Sequence, residues 1–206
     1  MPKKVDIKDR IIDTALALAE ARSWEAVRLH DVGAALDLSL NDIRAHFREK
    51  EELVEAWFDR ADRAMLEDAA TAEFQALPAR QRVHRAIMTW LAALAPHRKV
   101  TREMIWGKLE PGHLHVQIPA LMRISRTVQW LREAAHRDVT FLRRALEETG
   151  LTTIYLMTFF YWMRDESGNA VRTSQFLDRL LTNAETLSHR VYGYSRAAQS
   201  GTINNG

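Results

Sequence analysis

The chain has 206 residues, 47% of them hydrophobic, with no cysteine and a formal net charge of +2. Without cysteine there are no disulfide frameworks, zinc–cysteine sites or thiol nucleophiles to consider. The most apolar stretch, residues 151–163, is shorter than the roughly 18–20 residues a membrane-spanning helix needs, so stable membrane insertion is not expected.

Charges interrupt the first twenty residues every few positions, so no signal-peptide core is expected and the chain reads as cytoplasmic. Ile7, Ile11, Ile12, Ala15, Leu16 and Ala19 recur at helical spacing and predict a first helix over residues 7–21. Asp6 suits its N-cap, and Asp9 adds a negative charge to its first turn. Ser23 and Trp24 follow as a turn and an anchor. Two short helices are expected over 29–36 and 39–46, joined by Asp37-Leu38, with Ser39 and Asp42 as a capping signal for the second. A longer helix begins at Lys50 behind Glu49, with Glu51 and Glu52 at its N-terminus and Leu53, Trp57, Ala61 and Met65 along its inner face.

Gln75-Ala-Leu-Pro78 marks a break before further helices expected over 80–95, 98–109, 118–135, 138–166 and 170–192. Ser195 to Gly206 is small and polar and reads as a mobile tail. The expected organisation is therefore all-α: a helix-turn-helix unit over 1–50, a helical ligand-binding and dimerisation domain over 51–193, and a flexible tail over 194–206.

Two short helices braced by a preceding amphipathic one make a three-helix unit that exposes its last helix to a DNA major groove. Small Gly33, Ala34 and Ala35 let the second helix sit close, while Leu36, Leu38, Ile43 and Phe47 fix the angle. Asp31-Val-Gly-Ala-Ala-Leu-Asp-Leu-Ser39, Ile43-Arg-Ala-His-Phe47 and Lys50-Glu-Glu-Leu53 together resemble the N-terminal signature of TetR-type regulators. Ile12-Asp-Thr-Ala-Leu16 and Ser23-Trp24 match the same pattern upstream. The resemblance spans residues 7–55 and implies a TetR-like fold and a homodimer that binds double-stranded DNA.

The family's recognition-helix Gly and Tyr are replaced here by Asn41 and Arg44. Its phosphate-donating Thr/Ser pair is Val27-Arg28, and its fourth-helix cap is Glu49. The residues left for DNA are Arg28, Asn41, Arg44, His46, Arg48 and Lys50, opposed by Asp42. Arg44 offers guanine a forked donor, and Asn41 matches adenine. The competing reading makes them solvated residues of a scaffold without a target. Residues 1–60 hold ten Lys/Arg against thirteen Asp/Glu, a balance of −3 that leaves +5 for the rest. A DNA-binding end is usually the basic one.

Six tryptophans are spread along the chain. Trp90, Met104, Trp106, Met122, Trp130, Phe141, Tyr155 and Phe159 combine bulky aromatics with flexible Met, which suits an apolar cavity for a small hydrophobic or lipid-like ligand. The same stripes at helical spacing also suit a filled core. Leu156 and Phe160, with Phe176, Leu177, Leu180, Leu181, Ala184, Leu187 and Val191, form two faces too apolar to leave wet. Packed against a second copy they make an intersubunit four-helix bundle.

Arg143-Arg144 with Leu146, Tyr155 with Thr158, Tyr161-Trp162 with Asp165 and Ser167, and Thr173 with Phe176-Leu-Asp-Arg179 are similar to the C-terminal motif of the lipid-binding accessory family of ubiquinone biosynthesis. The resemblance implies kinship of the ligand domain, and it keeps a lipid or quinone-precursor carrier that reads no DNA as the alternative function. Glu110, His113 and His115 lie in a Pro-Gly turn without a third ligand of assured geometry and read as surface rather than metal site. No nucleophile elbow or phosphate loop is present. Neither catalysis nor a cofactor is expected.

Overall fold

The computed structural model describes residues 6–108, 124, 126–134 and 141–201, and among these every regular element is helical. The elements are α1 (Ile7–Ala21), α2 (Leu29–Leu36), α3 (Leu40–His46), α4 (Lys50–Ala69), α5 (Ala72–Gln75), α6 (Ala79–Leu94), α7 (Arg98–Lys108), α8 (126–134), α9 (Phe141–Trp162) and α10 (Val171–Gly201).

Local chemistry sets the first three helices. Asp6 accepts the Lys8 amide at the start of α1, and Ser39 and Asp42 form a reciprocal capping box on α3. Helix α2 ends at Asp37, which takes the left-handed conformation at φ 57°, and the Leu38 amide closes back on the Gly33 carbonyl at 2.9 Å. That turn leaves no space beside Gly33. A β-carbon there would lie 2.8 Å from the Leu38 carbonyl oxygen. Ala34 and Ala35 face solvent instead, so of the three small residues Gly33 alone serves the close approach.

Helix α4 connects this unit to the rest of the molecule. Its inner residues Leu53, Trp57, Ala61 and Met65 are buried as expected, and it lies along α6 as the central pair. Arg60 ties α4 to α1 by donating to Asp9 at 2.9 Å and Asp13 at 2.5 Å. Phe58 and Trp90 stack across the α4–α6 seam at 5.8 Å, and Trp90 meets Tyr155 and Phe159 of α9 edge-on at 5.3 and 5.6 Å.

The short α5 was not expected. Thr71 caps it by accepting the Phe74 amide, and fully buried Phe74 anchors it. Helix α9 ends four residues before the expected 166 because Asp165 organises the turn that follows. Its carboxylate accepts the Ser167 amide at 2.9 Å and both the amide and hydroxyl of Thr173, at 2.9 and 2.6 Å. Burial works against the ionised form, and these hydrogen bonds outweigh it, holding the carboxyl at about 2. Arg98 donates to the Asp165 carbonyl oxygen and lies over Trp162.

At the C-terminus α10 continues through Gly201, into the segment from 194 expected to be a tail. Arg196-Ala-Ala-Gln199 is a run of good helix formers and propagates a helix already nucleated upstream. Residues 202–206 lie outside the described residues, as do Glu110, His113 and His115. Among the described residues, no helix is long and apolar enough to cross a membrane.

Candidate nucleic-acid interface

Helix α3 packs on α2 and is held by two inward residues, Ile43 and the C-cap Phe47, both buried in the core. Everything else at its tip faces out: Leu40, Asn41, Asp42, Arg44, Ala45 and Arg48 are exposed, and His46 is half-buried. Asp42 is less of an obstacle than its charge suggests. It accepts the Ser39 hydroxyl at 2.6 Å and the Ser39 amide at 2.9 Å, which lower its pKa and commit the carboxylate to the helix start.

Four more acids of residues 1–60 are engaged. Asp9 and Asp13 hold Arg60, Asp31 pairs with Arg22 at 3.4 Å, and Glu52 accepts the Arg48 amide at 2.7 Å. Part of the acidic balance of this region is therefore committed to local contacts, while α3 presents Asn41 and Arg44 outward and Arg48 follows it, also exposed.

Two of the expected DNA ligands have other work. Lys50 is half-buried, lies 4.7 Å over the Trp24 ring, and donates to the Trp24 and Glu25 carbonyl oxygens at 2.5 and 3.3 Å. Burial pulls its pKa below the ordinary lysine value, and neighbouring Arg28 adds to the effect. A cation held this way cannot reach a phosphate without abandoning three contacts. In this structure it tethers α4 to the α1–α2 turn. Arg28, the N-cap residue of α2, is exposed but donates to the Glu25 and Val27 carbonyl oxygens at 2.5 and 3.4 Å.

The same turn is gripped from the other side. The Trp24 amide donates to Glu103 of α7 at 2.7 Å. His97 lies 3.3 Å from Glu20, and the buried Trp57 indole donates to Thr101 at 2.9 Å. None of Glu103, Thr101 and His97 was legible as a site residue, because their partners lie 44 to 79 positions away in the chain.

The residues expected to line one ligand cavity are scattered. Trp90, Met104, Tyr155 and Phe159 are buried, and the rings of Trp90, Tyr155 and Phe159 fill one another's space. Trp106 and Trp130 are 47% and 44% exposed, so they share no enclosed space with that cluster. Met122 lies outside the described residues, as does the Phe141 side chain. The structure instead has an open cleft of about 440 Å³ between α4 and α8, with Leu66, Ala70 and Trp130 beside Asp59, Arg63 and Arg126. Asp62 lies at its floor, accepting the Trp90 indole at 2.8 Å and the Thr127 hydroxyl at 3.1 Å. Of the expected cavity residues that are described, only Trp130 lines this cleft.

The expected dimer stripe divides in two. Thr173, Leu177 and Leu181 recur at four-residue spacing and are buried in the protomer, where α10 packs on α6 and α9. Leu177 and Leu181 therefore belong to the core, and their assignment to an interface is corrected. Phe176, Leu180 and Ala184 form the neighbouring, outer stripe, half-buried to exposed. Phe176 stacks on Tyr161 at 4.4 Å, and Met157 and Tyr161 of α9 are 45% and 39% exposed. Leu156 and Phe160 are half-buried, and the side chains of Leu187 and Val191 lie outside the described residues.

The chain is similar to a TetR transcriptional regulator from Nitrosomonas europaea ATCC 19718, with 59% sequence identity, a TM-score of 0.79, and coverage of 87% of this chain and 98% of that one. A TetR transcriptional regulator from Rhodococcus sp. RHA1 shares the fold at 17% identity, with a TM-score of 0.62 over 84% of this chain and 92% of that one. Residues 140–188 match the family model described as COQ9. Among curated proteins none matches.

Proposed function

The chain belongs to the TetR family of transcriptional regulators, and from that premise we propose that it is a cytoplasmic, ligand-responsive repressor that binds operator DNA as a homodimer. The observation that carries this reading is the outward face of α3. Asn41 and Arg44 are exposed on a short helix anchored by Ile43 and the C-cap Phe47, and Arg48 is exposed just beyond it. Arg44 supplies guanine with a bidentate donor, Asn41 pairs with adenine, and Arg48 faces phosphate.

The outer α9–α10 face, with Met157, Tyr161, Phe176, Leu180 and Ala184, supports dimerisation. Two copies would set their recognition helices in successive major grooves about 34–36 Å apart. A small hydrophobic ligand with a polar end suits the α4–α8 cleft, where Leu66, Ala70 and Trp130 offer apolar contact and Arg63 and Arg126 flank it. Helix α4 lines this cleft at one end and holds the Trp24 turn through Lys50 at the other. A ligand that prefers one setting of α4 would change the separation of the recognition helices by that difference in affinity.

Selection of bound duplexes from a random pool, repeated at two salt concentrations, tests the DNA reading. It should return a palindrome with affinity that falls as salt rises. A pool that yields no enriched sequence at low salt, with a folded dimer in hand, removes the regulator function. The alternative, a carrier of lipid or quinone precursor that reads no DNA, is favoured by the match over residues 140–188. It predicts co-purified lipid together with an unenriched pool.

A further inference from the structure

Within residues 6–105, Leu40 is the one large apolar side chain left exposed, at 58% of its full area. It is the first residue of α3, and the Ser39–Asp42 capping box holds that turn in place. Successive helical residues step by about 100°, so Asn41 and Ala45 point away from buried Ile43, while Leu40, one turn before Arg44, stands on the edge between Ile43 and Arg44 at the start of the helix. An isobutyl group and a guanidinium thus stand one turn apart along one edge of α3, with the Asn41 carboxamide beside them in the first turn. No apolar neighbour covers the isobutyl group enough to remove it from water.

The major-groove edges of the base pairs present many donors and acceptors but one apolar group, the C5 methyl of thymine. We propose that Leu40 packs on a thymine methyl, so that each operator half-site carries a thymine beside the bases met by Asn41 and Arg44. The inference rests on the DNA-binding reading above and adds the base that a purely polar reading of α3 leaves unspecified. Phosphate contacts cannot substitute for it, because they carry no base information.

The test uses the duplex selected by the full-length wild type, with its thymines replaced one at a time by deoxyuridine. That change removes the methyl and leaves every hydrogen-bonding group in place. One position per half-site should weaken binding by about fourfold, and by roughly fourteenfold when both half-sites carry it, the value of one buried methyl each. Leu40→Ala, whose fold is checked by its melting temperature, should bind thymine and uridine duplexes alike. If the wild type binds every uridine duplex as tightly as the thymine parent, or the penalty persists in Leu40→Ala, the inference fails while DNA binding stands. If no duplex is enriched at all, the DNA-binding reading fails and takes this inference with it.

Discussion

Replacing Gly33 by Ala tests the tight turn that sets α3 on α2. Substituting Gly by Ala within a helix normally gains about 1 kcal/mol. At Gly33 the added carbon would lie 2.8 Å from the Leu38 carbonyl oxygen, where ordinary contact begins at 3.4 Å. The obstacle is backbone, fixed by the Leu38 amide bond to the Gly33 carbonyl and by the Ser39 cap that follows. Opening a packed site by several tenths of an ångström costs about 1–3 kcal/mol, which against that gain leaves an expected net loss of about 1 kcal/mol, in a range of about 0–2. Gly150, exposed in α9 with no atom within 4 Å of a built β-carbon, is the matched control. Gly150→Ala should gain about 1 kcal/mol from helix propensity alone. Guanidinium unfolding followed by circular dichroism, at one protein concentration, measures both. If Gly33→Ala is more stable than the wild type, the turn is not the tight one described and the account of α3's angle is wrong.

Lys50→Ala should lower stability by about 1–3 kcal/mol, the range for hydrogen bonds to a charged group, yet leave the slope of DNA affinity against salt unchanged. A slope reduced by about one per subunit would restore Lys50 as a phosphate ligand. Asp165, held at about 2 against an ordinary 3.8, stabilises the fold above pH 4 and loses that contribution as pH falls through its folded value. Stability should therefore drop by about 2 kcal/mol between pH 4 and pH 2, a step that Asp165→Asn abolishes. An unchanged pH profile in Asp165→Asn would remove the carboxylate from the α9–α10 turn's energetics. Leu180→Glu with Ala184→Glu should yield monomer or aggregate by light scattering, and a well-behaved dimer would place the interface elsewhere.

The first three helices were legible residue by residue because their determinants are local. Asp6, Ser39 and Asp42 cap within three positions of themselves, and Ile43 and Phe47 follow a short period. The tether made by Lys50 was not legible because its partners, the Trp24 and Glu25 carbonyls, belong to a turn some twenty-five positions upstream, which only the packed fold brings near. Helical periodicity marked the apolar residues of α10 without telling its two adjacent stripes apart. Which stripe meets α6 and α9 depends on helix orientation. Size and hydrophobicity likewise do not say which way a side chain points, so the periodicity did not separate the exposed Trp106 and the cleft-lining Trp130 from the buried cluster of Trp90, Tyr155 and Phe159. Net charge carried no information on pairing: Asp9, Asp13, Asp31 and Asp42 are each held by a partner that a charge count does not register.

Titration of the wild type and Arg44→Ala against the selected duplex at low salt tests the central claim, that α3 reads DNA. The wild type should bind specifically, and Arg44→Ala should lose about 1–3 kcal/mol and its preference at one base pair in each half-site. Equal affinity and unchanged base preference in Arg44→Ala, or a folded wild-type dimer that binds no selected duplex, would contradict it.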